Sequence, residues 1–347
     1  MFKILSISFR ALLFLSVATS TLAWDYEGHR IVNQLALASL PTNFPAFVKT
    51  AAAQERIAFL AGEPDRWRNS PDMPLRHFNA PDHFLDLDDL GLFQLTPGSV
   101  SHFRYEFVAQ LAVARAAHPQ NFPPIDPAKN EDHTRQFIGF LPWTITEYYG
   151  KLKSGFSYLK TFATNGTPQE IANAQQNIIY IMGVMGHFAG DAGQPLHTTK
   201  NFNGWVDANP NHFTTNKTFH GWVDGGYIHK VGINFAEIKP RVRPAQMLAG
   251  PTFQREDIFP TMMSFLVEQH KLVEPLYQLN KEGSLSDMGE ADSKGRPFIT
   301  QQLLKSGQLL GDLWFSAWQT APIDTYLKSS LVRRKLDPAQ NSSASPK

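Results

Sequence analysis

The chain has 347 residues, 42% of them hydrophobic and 12% aromatic, with 32 basic and 31 acidic side chains. The length allows one large domain or two, and a formal net charge of +1 excludes the global basic field that announces a nucleic-acid or acidic-membrane partner, so any phosphate binding must be local. There is no cysteine, so disulfides cannot support the fold, and a metal cluster is the alternative staple.

Lys3 and Arg10 precede the apolar run Ala11 to Val17, and Thr21, Leu22 and Ala23 follow it. This predicts a signal peptide over residues 1–23 and an exported, soluble protein, secreted or periplasmic, whose mature chain begins at Trp24. No later apolar run is long enough to span a bilayer. A free α-amino group at Trp24 can chelate a metal together with its neighbouring carbonyl; an ordinary exported terminus would fray.

Helical patterns follow at Ile31 to Leu40, stopped by Pro41, and at about Phe47 to Leu60. Residues 69–97 are rich in Pro and Asp and read as loop. Helices are predicted again from His102 to Ala117 and from Trp143 to Phe162, with a polar, Pro-rich segment from Pro119 to Thr134 between them. Thr167, Pro168 and Glu170 form a helix start: a capping threonine, a proline in the first turn and a glutamate three after the cap. The helix they open carries His187 and Asp191, four apart and therefore on one face. Pro195 ends it and His197 follows at once. Thr198 to Thr218, rich in Asn and Gly, reads as a surface loop folded over a site. His220 and Asp224 then repeat the four-residue spacing. Two further helical runs, around Ile258 to Leu279 and Phe298 to Trp318, close an all-α chain, and residues after Val332 read as a polar, disordered tail.

Two His-x-x-x-Asp pairs joined by His197 read as metal ligands rather than as satisfied core histidines, and imidazole with carboxylate suits zinc. The full set of motifs is Trp24 with Gly28-His29, Asp65-x-x-Arg68, His83-Phe84-x-Asp86, His187-Phe188-x-Gly190-Asp191-x-x-x-Pro195-Leu196-His197 and His220-x-x-x-Asp224. In this order, from Trp24 to about Trp318, they make the chain resemble the S1/P1 nuclease family within the P1 nuclease/phospholipase C superfamily. The resemblance implies a single, mainly helical catalytic domain over residues 24–330, with long loops over a trinuclear zinc site, and a polar tail at 331–347. It implies three zinc ions per chain. Asp65, His83, His187 and Asp191 would hold one. Asp191 would bridge to a second, held by the Trp24 amine and carbonyl and by His29. His197, His220 and Asp224 would hold the third.

The implied activity is hydrolysis of single-stranded DNA or RNA to 5′-phosphorylated products by a metal-bound hydroxide. Asp65 would also orient the attacking water, and Arg68 would fork onto a phosphate. Phe84 would stack a base and Asp86 would accept hydrogen bonds from the base edge, which favours unpaired strands. Each of these has a plainer alternative. Arg68 has a surface charge as its lesser alternative, Phe84 reads equally as core, and Asp86 reads more readily as part of a solvated acidic run with Asp88 and Asp89. Trp67, Trp205 and Trp222 read as packing, and Lys239 to Arg243 as either a phosphate track or a solvated turn. No protein partner is implied; a monomer is expected.

Eukaryotic members of the family carry disulfides and this chain cannot, which points to a bacterial exported member. Residues 92–150 show no recognisable motif, and substrate choice is expected to be decided there. The competing activity is a phospholipase C with the same metals. Phospholipases of this superfamily carry Glu where Asp224 stands and have a shorter loop between the histidines matching His197 and His220; Glu27, however, occupies a place where they use a carboxylate. A zinc-binding protein without catalysis is the third reading.

Overall fold

The computed structural model describes residues 24–248, 257–286 and 294–336; the predicted signal peptide lies outside them. The described residues are mainly helical, with no strand and one isolated antiparallel bridge between Leu85 and Gly139. The α-helices in chain order are α1 Tyr26–Ser39, α2 Ala51–Leu60, α3 Glu63–Arg68, α4 Met73–Asn79, α5 Arg104–Ala117, α6 Leu141–Asn165, α7 Pro168–Ala192, α8 Phe219–Gly221, α9 Tyr227–Val231, α10 Phe235–Ile238, α11 Phe259–His270, α12 Val273–Lys281, α13 Gly295–Thr320 and α14 Thr325–Leu336.

The centre of the fold is α7. Its start is the predicted capping box: Thr167 Oγ1 accepts from Glu170 N, and Glu170 accepts from Thr167 N. Its last part, from Met182 through Val184, Met185 and Phe188 to Ala192, is buried on every side, and α1, α2, α6 and α13 pack against the helix. Each such side chain contributes roughly 1.5–3 kcal/mol on burial. Small residues set the spacing. A Cβ on Gly186 would stand 1.6 Å from Asn33 Oδ1 on α1, and one on Gly190 would stand 2.6 Å from His29 Nδ1. Glycine in a helix interior costs about 1 kcal/mol relative to alanine, and here that cost lets α1 lie against α7 closely enough to bring His29 to Asp191.

Asp25 caps α1 by accepting from Gly28 N, so the helix begins before Ile31 and includes His29. The Pro- and Asp-rich segment predicted as loop holds α4. Asp72 accepts from Leu75 N and Pro74 falls in the first turn, where its missing N–H is not needed. The run from Ile258 to Leu279 is two helices, α11 and α12. A continuous helix would drive the Pro275 ring into the carbonyl of Lys271, and the chain breaks just before it.

The predicted polar tail differs from the structure at its start. Residues 331–336 belong to α14, whose Leu331 is buried and whose Arg334 forks onto Glu170 at 2.7 and 2.9 Å. The rest of the tail lies outside the described residues.

Candidate metal centre

α7 delivers His187 and Asp191 from one buried face, both fully enclosed. Gln194 before Pro195 is extended, as a residue preceding proline prefers, and the chain turns through a short helical turn, Pro195–Thr198, that carries His197. His83 ends a similar turn, Ala80–His83. Asp65 sits in α3 and His29 in α1. His220 lies in α8, and Asp224 lies in a wider π-turn, Trp222–Gly226, rather than in the α-helix that the spacing suggested.

The structure brings every predicted side-chain ligand together. Three buried sets each have ligand atoms within 4.8 Å of one another: His29, His187 and Asp191; Asp65, His83 and His187; His197, His220 and Asp224. Asp191 stands at the middle. Its Oδ2 is 3.0 Å from His83 Nδ1 and 3.3 Å from His187 Nε2, and its Oδ1 is 3.5 Å from His29 Nε2 and 3.7 Å from His197 Nδ1. In the third set His220 Nε2 is 2.9 Å from Asp224 Oδ2 and 3.1 Å from His197 Nε2.

These groups fit a metal better than they fit one another. Both ring nitrogens of His29, Asp65 Oδ1, Asp191 Oδ1 and Asp224 Oδ2 are buried without a hydrogen-bond partner. Burying a polar group unpaired costs several kcal/mol, and gathering five histidines and three aspartates in one buried cluster multiplies that cost unless cations offset it. Burial holds the His29, His83 and His197 imidazoles below their ordinary range, and it takes His220 down to about 3. Neutral imidazole is the ligating form. Burial opposes ionisation of Asp191, but His187 and His197 outweigh it and hold its carboxyl well below the usual range. Asp224 is the reverse: burial pushes it well up.

Partners that orient the candidate ligands are also in place. His187 Nδ1 lies 2.7 Å from the Ala61 carbonyl, and donating to it leaves Nε2 free to face the cluster. His197 Nδ1 lies 2.5 Å from the His83 carbonyl. Gln194, fully buried, donates to Asp224 Oδ1 and accepts from Leu196 N at 3.0 Å. Sequence reading missed Gln194; its only local signal is an amide side chain directly before the proline that starts the His197 turn.

Trp24 is fully buried, and its indole N–H donates to the Gly190 carbonyl at 2.9 Å, one residue from Asp191. The nine predicted ligand residues therefore share one neighbourhood. Arg68 places Nε 3.4 Å from Asp65 Oδ1 and lines a cleft of about 890 Å³ that opens over His197 and His220.

Phe84 and Asp86 line the same cleft. Burial, reinforced by Asp89 and Asp88, pushes the Asp86 carboxyl well above the usual range, so it keeps its proton further up the pH scale than an exposed carboxylate. One long wall comes from the segment without motifs: Phe93, Arg115, Phe122, Arg135 and Phe137. Arg115 lies over the Phe122 ring at 4.2 Å and over Phe93 at 5.6 Å.

Trp205 packs on Phe213 and Tyr277, Trp222 donates to the Leu285 carbonyl, and Trp67 packs on the core. In the basic stretch, Arg243 pairs with Asp312 and Arg241 donates to Gln301, away from the cleft. Glu27 is exposed and is not among the cleft-lining residues.

Compared with known proteins, the chain matches no protein-family model and no curated protein.

Proposed function

We propose that this protein is an exported zinc-dependent phosphodiesterase that hydrolyses single-stranded DNA or RNA to 5′-phosphorylated products. The observation that carries this reading is the set of three adjoining buried His/Asp groups, two of them sharing His187, beside a cleft that His197, His220, Arg68 and Phe84 line. Zinc, when bound by these groups and the Trp24 terminus, supplies Lewis-acid stabilisation of phosphate oxygens and an activated water. Arg68 binds a nonbridging phosphate oxygen through its guanidinium. Asp65, beside Arg68, orients both that guanidinium and the attacking water. Phe84 stacks a base, and Asp86 hydrogen-bonds its edge.

The same metal set would serve a phospholipase C. Glu27 does not line the cleft, which weighs against that alternative, and the long loop between His197 and His220 supports the nuclease reading. The test is to incubate zinc-loaded protein starting at Trp24 with single-stranded DNA and with phosphatidylcholine, side by side. The expected result is rapid cleavage of the DNA to 5′-phosphorylated fragments. Release of phosphocholine with intact DNA would overturn the reading.

A further inference from the structure

The loop between His197 and His220 is held firmly at Asn201. This residue is buried; its side chain accepts from Val206 N at 2.8 Å and donates to Asp207 at 2.9 Å, and its carbonyl accepts from the Tyr277 hydroxyl. Asn203 Oδ1 accepts the His220 backbone N–H at 3.2 Å. Beneath the loop, Trp205, Phe213, Phe219 and Tyr277 pack ring on ring, with centroids 4.7–5.5 Å apart.

Phe202, between the two anchored asparagines, is left out of that cluster. It is 41% exposed, lines the cleft and, among the described residues, meets one ring, that of His220, at 5.6 Å and 69°. A single exposed aromatic is ordinary. One whose two chain neighbours, Asn201 and Asn203, are hydrogen-bonded in place, and whose ring meets a candidate ligand imidazole, is a preorganised apolar surface.

Phe84 lines the same cleft. It follows His83, and its ring is backed by Gly139, whose φ of +101° brings the backbone so close that a Cβ would stand 2.8 Å from the ring. His83 belongs to the ligand set with Asp65 and His187, and His220 belongs to the set with His197 and Asp224. The two rings thus line one cleft, each beside a different candidate ligand set. A phosphodiester in a single strand carries a base on each side.

We propose that Phe202 is a second base platform, stacking the nucleotide across the scissile phosphate from the one on Phe84. This rests on the nuclease reading. It means that full binding needs two bases, one on either side of the cleaved bond.

The test uses three nuclease-resistant dinucleoside phosphorothioates, one with both bases and one lacking each base in turn, bound to zinc-loaded protein starting at Trp24. Phe202→Ala should weaken binding of the two-base ligand roughly 5- to 150-fold. It should not affect the ligand that already lacks the base on its side. Phe84→Ala should give the same pattern with the other base, and Phe202→Trp should bind at least as tightly as the parent. Zinc content and melting temperature of Phe202→Ala should be unchanged. Equal losses on all three ligands, or both variants silenced by the same missing base, would overturn the second platform while leaving the nuclease reading intact. If the parent protein binds no dinucleoside and instead cleaves phosphatidylcholine, the nuclease reading fails and this inference with it.

Discussion

The backbone N–H of Asp25 donates to the backbone carbonyl of Asp224 at 3.1 Å. This one bond ties the residue after Trp24 to a predicted ligand 199 positions later, and the Asp25 side chain adds a cap on α1 and an ion pair with His229 at 2.5 Å. The start of the predicted mature chain is therefore clamped beside the candidate metal centre rather than left to fray.

That clamp makes the terminus a sharp test. Protein starting at Trp24 should bind its full complement of zinc, and protein with one additional methionine before Trp24 should lose one ion and most of its activity. Elemental analysis and oligonucleotide cleavage on the two forms check this. Equal zinc and equal rates would remove Trp24 from the ligand set.

Elemental analysis of the protein as purified should give about three zinc ions per chain. With no cysteine in the chain, no disulfide backs up the metal cluster. Chelation should therefore lower the melting temperature by about 10 °C or more, read by calorimetry with and without chelator. An unchanged melting temperature would show that the buried histidines satisfy themselves.

Asp191 faces four imidazoles, whereas Asp224 faces His220 and the amide of Gln194. Asp191→Asn should accordingly reduce kcat/KM at least about tenfold more than Asp224→Asn, a difference of about 1.4 kcal/mol. It should also release more zinc. Losses of similar size would argue against a bridging role.

Phe84→Ala should cost roughly 1–3 kcal/mol in binding a single-stranded oligonucleotide. Cleavage of a small phosphodiester without a base should be nearly unchanged, as should zinc content. If Phe84 serves only packing, the melting temperature should fall and both substrates should suffer together.

The Arg334 fork holds the Glu170 carboxyl down at about 2, from an ordinary 4.5. A depressed carboxylate contributes stability above its unfolded value, and that stability is lost as pH falls through the folded one. Docking of α14 should therefore weaken between about pH 4.5 and pH 2, seen as loss of hydrogen-exchange protection in α14. Glu170→Gln keeps the capping box but loses the ion pair. It should weaken α14 at neutral pH and abolish the acid step.

The sequence by itself made the long helices and the candidate ligand residues legible. Thr167, Pro168 and Glu170 are a local signal for the start of α7, because capping is satisfied within one turn. The spacing of His187 and Asp191 needs only helical periodicity. Motif residues as far apart as Asp65 and Asp224 were all legible as chemistry before their distances were known. What periodicity could not supply was α4, hidden because Asp72 and Pro74 signal a helix start as well as a loop, or the π-turn under Asp224, since a four-residue spacing fits more than one helical geometry. Nor could it reveal Gln194, the Asp25 clamp or the exposed ring of Phe202. Those depend on which surfaces meet after α1, α7 and α13 pack. Glycines at 186 and 190 set that approach by lacking a side chain, and the contacts they permit are made between residues more than 150 positions apart, which no local pattern encodes.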